Sequence, residues 1–375
     1  MKVALLTDCY LPRLGGIEVQ THDLAAHLRA RGHEVEVFTA TPGPHGERHG
    51  AVEDVDGVPV HRMALRLPWE LPVNPLAPPE VRRRLRGGGF DVAHVHMGVV
   101  SPFATDLAGV ALGLGLPTAI TWHCLMGRSQ PVFRALGHAR RWGRRGAALS
   151  AVSGLAAAGV QAVVGDAAQV RVLPNGIDVA AWAPPVGRMP RGGGPVRVVA
   201  AMRFAARKRP GAVLEIARAA RSRVASAVDL HVDLFGDGPE RRRLEQYIAR
   251  HGMGTWVSLP GRVSRDELRS HYWASDVYMT PARLEAFGIA ALEARTAGLP
   301  VLARADTGVS DFVTDGVNGV LGRDDDALAS ALAALVTDTD LRRRIADENS
   351  TVAPAQSWAA VAALAESEYH RAGAS

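Results

Sequence analysis

Short β-branched runs alternate with longer amphipathic stretches along the chain. Residues 3–7, 35–39, 92–96 and 118–122 are such runs and read as strands buried on both faces. Between them, 16–31 and 102–114 repeat apolar positions at helical spacing. Alternation of this kind predicts a parallel sheet covered by helices on both sides. The pattern then stops at 184–195, "PPVGRMPRGGGP", where four prolines and four glycines fall in twelve residues.

Beyond that break the alternation restarts. Strands are expected at 196–201, 230–235, 257–259, 277–280 and 301–303, with helices at 210–221, 239–251, 266–274 and 288–297. A last amphipathic stretch, 357–371, is placed to pack back on the first domain. The reading is two Rossmann-like α/β domains, 1–186 and 196–355, joined by a linker at 187–195, with 356–375 as a returning C-terminal helix. Two such domains face each other across a cleft at the carboxyl ends of their strands, where these sheets bind ligands.

A length of 375 residues suits two domains. Hydrophobic residues at 47% and charged residues at 22% exclude a disordered or collagen-like chain. The net charge of +5 comes almost wholly from arginine, since only Lys2 and Lys208 are lysines. So small an excess, with 5% aromatics, argues against nucleic acid as a partner. Cys9 and Cys124 give neither a disulfide framework nor metal spacing, which points to a reducing cytoplasm. The first apolar run is too short for a signal peptide and is interrupted by Asp8; no stretch of about 18 residues is apolar enough to span a bilayer. The expectation is a soluble protein, or one resting on a membrane surface.

Four elements carry candidate chemistry. Gly15 and Gly16 follow the first strand and open a helix, which reads either as a tight turn or as a close approach to a phosphate. This is not the dinucleotide fingerprint, and the acids Glu34 and Glu36 stand at the wrong end of the next strand. His94 and His96 share one side of a strand but have no carboxylate beside them. They read as satisfied histidines at the sheet edge, whereas His123, ending the next run, is equally a ligand contact or a structural residue. Arg203 and Lys208, in "MRFAARKRP", form an anion site or a solvated turn; a compact ammonium meets a diphosphate differently from a planar guanidinium.

The fourth is "TPARLEAFGIAALEARTAGLPV". Glu285 lies in the turn after a strand, Gly288 opens a helix and Glu293 falls within it. The two carboxylates can border one pocket, with the amides of 286–289 free to meet a phosphate. A glutamate retained in so apolar a helix argues against a mere surface position.

With these residues in place the chain resembles glycosyltransferase family 4, of GT-B fold, over nearly its whole length. The matching features stand in the family's order: Gly15-Gly16, "DVAHVH", "TWH" at His123, "VSGLA", "VLPNGID", Arg203 with Lys208, "FGDGPE", "LPGRV", and the Glu285–Glu293 element with "EARTAGLPV". The resemblance implies an acceptor-binding N-terminal domain and a nucleotide-sugar-binding C-terminal domain. It implies sugar transfer from a nucleotide diphosphate donor with retention at the anomeric carbon. Carried over, Arg203 and Lys208 hold the diphosphate, Glu293 the ribose hydroxyls and Glu285 the transferred sugar. The amides near Phe287 and Gly288 meet phosphate or sugar, and Gly15-Gly16 approaches the phosphate from the first domain. His123 touches the sugar, and the backbone at Val263 meets the base. The sequence departs from the pattern at Met202, where the family has glycine, and at Thr307-Gly308 with Asp311, where it has paired glycines and a glutamate.

The expected chemistry is a same-face transfer in which Arg203, Lys208 and helix amides stabilise the leaving diphosphate without metal or other cofactor. Nothing demands the paired carboxylates of a retaining hydrolase. Mannosyl transfer, common in the family, favours GDP-mannose among UDP- and GDP-hexoses; the acceptor hydroxyl belongs to a lipid, a polysaccharide primer or a small natural product. From 107 to 165 there is no Asp or Glu, while Arg128, Arg134, Arg140, Arg141, Arg144 and Arg145 fall in a stretch with Val132, Phe133, Leu136 and Trp142 as apolar anchors. That stretch reads as a basic helix on anionic lipid at the inner membrane face, or as a solvated face lining an anionic substrate cleft. A nucleotide-sugar 2-epimerase of the same fold and a binding-only relative are the rival functions; the Glu285–Glu293 element with "VLPNGID" favours the transferase.

Overall fold

The computed structural model describes residues 1–13, 15–66, 71–185, 194–225 and 229–375. Residues 187–193 of the expected linker lie outside the described residues, as does Leu14. The chain forms two compact units, Met1–Gly176 with Gln356–Ser375, and Ile177–Ala355.

In the first unit the strands are β1 (Lys2–Thr7), β2 (Glu34–Thr39), β3 (Ala51–Val55), β4 (Val58–Arg62), β5 (Val92–Met97), β6 (Thr118–Trp122), β7 (Ala148–Ala151) and β8 (Val170–Val172). They form one sheet in the order β3-β4-β2-β1-β5-β6-β7-β8, parallel except for the β3–β4 hairpin. That hairpin turns at Asp56-Gly57, both at positive φ, as a two-residue loop between right-twisted strands requires. Its charged outer residues, Glu53 and Asp54, hide it from a search for apolar runs.

One sheet face packs Leu6, Val95 and Ile120 with residues of the helices Ala77–Gly87, Pro102–Gly113 and Gly154–Val164. The other packs Leu5, Val37 and Ala119 with Leu24 and Leu28 of the helix Gly16–Ala30 and with Trp358, Val361 and Tyr369 of the helix Trp358–Arg371. A Cβ on Gly176 would come within 2.4 Å of the Trp358 ring, so the glycine of "PNGID" makes room for the returning helix. Gln20 fixes the same peptide from the other side, donating to the Gly176 carbonyl at 3.1 Å and accepting from its amide at 2.9 Å.

The basic stretch departs from the expected single helix. Gly137, at φ +65°, divides it into Gln130–Leu136 and His138–Arg144. Trp142 is buried in the core 6.4 Å from Trp122, and Phe133 packs partly against that core, so neither is a surface anchor. Val132 and Leu136 are exposed, as are Arg134, Arg140, Arg141, Arg144 and Arg145.

The second unit contains β9 (Val196–Ala201), β10 (Leu230–Phe235), β11 (Val257–Gly261), β12 (Val277–Thr280), β13 (Val301–Arg304) and β14 (Gly319–Gly322). Their order is β11-β10-β9-β12-β13-β14, and every pairing is parallel. Residues 177–185 belong here rather than to the first unit, because Trp182 is buried beside Tyr272 and its carbonyl accepts from the Trp273 indole at 3.1 Å. Two helices unforeseen from sequence, Asp325–Thr337 and Thr339–Thr351, start at Asp324 and Asp338, whose carboxylates cap the amides of Ala327 and Leu341.

Candidate active site

In each unit the expected site residues follow the carboxyl ends of parallel strands, where loops are free to vary while the sheet stays fixed. In the second unit Arg203 and Lys208 follow β9, Val263 follows β11, Glu285 to Gly288 follow β12, and Gly308 follows β13. In the first unit Gly15 and Gly16 follow β1, and His123 follows β6.

The Arg203 loop is held from beneath by "FGDGPE". Gly236 (φ +125°) and Gly238 (φ +152°) lie so close to it that a Cβ would sit 1.9 Å from the Met202 carbonyl oxygen and 2.6 Å from that of Phe204. The Met202 amide donates to Phe235, the Phe204 amide to Asp237, and the Phe204 ring is fully buried. Met202, where the family has glycine, packs partly against the second core. Arg203 is left exposed on this rigid base.

Lys208 ends a short 3-10 turn and its Nζ lies 2.5 Å from Oε2 of Glu285. The structure thus joins two residues that the sequence reading gave to different parts of the donor. The next residue, Arg209, donates to the Pro281 carbonyl at 3.0 Å and pairs with Asp325, tying the Lys208 turn to the loop after β12. Gly308 donates its amide to the Glu285 carbonyl at 2.9 Å. Gly288, at φ +98°, starts the helix Ile289–Thr296 with no side-chain cap, over Val309. Phe287 is buried against Phe312 and anchors the turn. Glu293 is 8% exposed, with Arg265 Nη2 3.3 Å from its Oε1, so the carboxylate is held in place. Val263 is half-buried just ahead of Ser264, which opens the helix Arg265–Trp273 with a capping box. Asp311 is exposed in the 3-10 turn Gly308–Asp311.

In the first unit Gly15 is the N-cap of its helix, and a Cβ there would meet the Glu18 carboxylate at 2.3 Å. Glu18 is buried, with Arg13 Nε 3.5 Å away, and burial raises its pKa above the usual carboxylate range. Its carboxylate, unnoticed in the sequence, stands beside the glycines expected to approach a phosphate. Arg62, fully buried, steadies the preceding loop: it pairs with Glu53 and donates to the carbonyls of Leu11 at 2.7 Å and Thr41 at 3.3 Å.

His94 and His96 are not at the sheet edge, because β5 lies between β1 and β6. His94 is hydrogen-bonded to the Tyr369 hydroxyl at 3.0 Å and Thr121 Oγ1 at 2.8 Å. His96 Nδ1 lies 2.9 Å from His123 Nε2, and the Asn175 side chain also reaches His123. Desolvation holds His94 at a pKa of about 3, His123 at about 4 and His96 well below its ordinary value, so all three are neutral in neutral solution.

A stability prediction follows from that burial. Unfolded histidines take up protons as pH falls through about 6.5, whereas the folded ones resist until pH 4 or below. Their contribution is complete above pH 6.5 and is lost as pH falls toward 4. Asp8, buried and raised to about 6, runs the opposite way and offsets part of the loss. The melting temperature is expected to fall by several degrees or more between pH 7 and pH 4.5; thermal scans in matched ionic strength measure it, and a flat profile would contradict the burial of these rings.

Among the described residues no three His, Cys, Asp or Glu side chains gather as a metal site, and no helix is long and apolar enough to cross a membrane.

The family model for glycosyl transferases group 1 matches residues 190–351, and that for glycosyltransferase family 4 matches 14–181. A D-inositol 3-phosphate glycosyltransferase from Arthrobacter is 29% identical, over 96% of this chain and 90% of its own. A GDP-mannose-dependent α-(1-6)-phosphatidylinositol monomannoside mannosyltransferase from Mycobacterium tuberculosis is 27% identical over 90% of each. The crystal structure of Anabaena HepE in complex with UDP superposes with a TM-score of 0.75 at 20% identity, covering 98% of this chain and 99% of its own, a likeness of fold. The chain belongs to glycosyltransferase family 4 and has the GT-B fold: it is a hexosyltransferase acting with a nucleotide-sugar donor.

Proposed function

We propose that the protein moves a hexose from a nucleoside diphosphate sugar to an acceptor hydroxyl, without metal and with retention at the anomeric carbon. The observation that carries this reading is the Lys208–Glu285 pair beside the uncapped helix start at Gly288. A cation and free amides there meet the negative charge that develops on a leaving diphosphate, and Glu285 lies next to the sugar it would leave. Arg203 adds a second cation, the amides at Phe287 and Gly288 and those at Gly15-Gly16 contact phosphate, Glu293 holds the ribose and the backbone at Val263 meets the base. The leaving phosphate oxygen takes the acceptor proton on the same face, with His123 against the sugar.

GDP-mannose is the favoured donor, in keeping with the name of the mannosyltransferase relative, and UDP is the alternative, bound by the HepE neighbour. The Arthrobacter and Mycobacterium relatives carry D-inositol 3-phosphate and phosphatidylinositol monomannoside in their names. An inositol phosphate, free or lipid-borne, is the acceptor class that also suits the five exposed arginines between Arg134 and Arg145.

Calorimetric titration of GDP, UDP and ADP in the presence of EDTA tests the donor site. One nucleotide is expected to bind at micromolar Kd, and Glu293→Ala to weaken it roughly 10- to 100-fold through loss of charge-assisted bonds to the ribose. No binding by a folded sample, or equal binding by the variant, rejects the donor assignment. Sedimentation with anionic vesicles, lost on replacing Arg140, Arg141, Arg144 and Arg145 by glutamine, is the corresponding test of lipid contact.

A further inference from the structure

We propose that His96 is a positioning residue for His123, fixing the orientation and tautomer of its ring for the transfer step. This rests on the reading above, in which His123 meets the transferred sugar.

The geometry begins with two adjacent strands. His96 is the penultimate residue of β5 and aligns with Thr121 on β6, while His123 lies just beyond β6 with its amide donating to the Met97 carbonyl at 2.9 Å. That alignment brings His96 Nδ1 to 2.9 Å from His123 Nε2. Two neutral imidazoles at this distance share one bridging proton, so one nitrogen must donate and the other accept. His96 cannot turn away, because His94 lies against it with ring centroids 4.2 Å apart and is itself held at both nitrogens.

The other nitrogen, His96 Nε2, is buried without a partner among the described residues, and His96 lines a small cavity with Gln20, Leu173, Asn175 and Trp358. An unpaired buried N–H is rarer than an unpaired buried acceptor. The proton therefore belongs on His96 Nδ1, donated to His123 Nε2, which leaves His123 with its own proton on Nδ1. Asn175, reaching the same ring, holds it from the other side. A fold that needed only an apolar filler at His96 would place no nitrogen there.

Steady-state kinetics of His96→Leu, His96→Asn and His123→Ala, with nucleotide Kd for each, test the proposal. His96→Leu is expected to lower kcat about 10- to 100-fold, the scale of a misplaced reacting group. Nucleotide Kd should stay within about twofold, since His96 touches none of the residues proposed to hold the donor's phosphates, ribose or base: Gly15-Gly16, Arg203, Lys208, Val263, Phe287, Gly288 and Glu293. His96→Asn, whose amide reaches the Nδ1 position, is expected to recover most of the loss. Equal loss in both variants, or wild-type kcat in His96→Leu while His123→Ala is inactive, overturns the proposal and leaves the proposed function standing. Full kcat in His123→Ala overturns this proposal together with the placing of His123 at the sugar, and leaves the transfer itself standing. If His96→Leu does not fold, ¹⁵N-histidine spectra of the wild-type protein decide: a single Nδ1–H tautomer of His123 through neutral pH supports the assignment, and a tautomer mixture or a protonated Nε2 overturns it.

Discussion

Lys208→Ala is expected to lower kcat about 100- to 1,000-fold while the protein remains folded, the scale set by removal of one preorganised charge-stabilising group. Lys208 is half-buried and contributes no core packing, so its loss leaves no cavity. The neighbouring Arg209 keeps the two loops together through Pro281 and Asp325, so the turn survives the substitution. What disappears is the cation beside Glu285 and the helix start. In the proposed site Glu285 then faces the leaving diphosphate without its paired cation, and the substitution both removes an attraction and adds a repulsion. Lys208→Arg restores the charge on a longer, planar group and is expected to recover nucleotide affinity more than kcat. Turnover within about threefold of wild type in Lys208→Ala would remove this residue from the diphosphate site.

Gly308→Ala is the second large effect, and it acts through backbone. The added Cβ would sit 2.0 Å from the Ala286 carbonyl oxygen, 2.5 Å from its carbon and 2.9 Å from the Phe287 Cα. None of these is the yielding end of a side chain, so one loop must move. Overpacking of this kind costs about 1–3 kcal/mol. For a unit of this size that is roughly 2–12 °C in Tm. The displaced segment carries Glu285 and opens the helix at Gly288, so nucleotide affinity is expected to fall at least tenfold together with stability. Gly211→Ala is the control, because nothing lies within 4 Å of its Cβ and alanine favours the helix it occupies. Wild-type affinity in Gly308→Ala would show that the loop can be built another way.

Much of the framework was legible because strands buried on both faces announce themselves as short runs dominated by apolar and β-branched residues. β1, β5, β6, β9 and β12 are of this kind, and the helices between them follow from periodicity. The Glu285–Glu293 element was legible for a different reason: a glycine at a helix start and a glutamate in an apolar helix both oppose local preference. Pairings across the chain were not legible. Lys208 and Glu285 are 77 positions apart, and nothing in either neighbourhood specifies the other. His96 read as structural because its partner, His123, lies on another strand, and its environment depends on which strands are neighbours. Trp142 read as a surface anchor because arginines surround it, yet on a seven-residue helix one side chain reaches the core while its neighbours stay in water. "FGDGPE" stood only as one feature of the family resemblance; that its glycines admit the Arg203 backbone needed the β9–β10 pairing.

The first unit is built from two separated pieces of chain, and this has a consequence for synthesis. About 180 residues lie between Gly176 and Gln356. At 5–20 residues per second the ribosome needs roughly 10–40 s to cross them. Through that interval one sheet face, with Leu5 and Val37, and Leu24 of the helix on it wait for Trp358, Val361 and Tyr369 to cover them. The second unit, made without interruption, has all its strands before those residues emerge. The nascent chain therefore carries an open apolar surface until its last helix arrives, and this is the face a chaperone would meet.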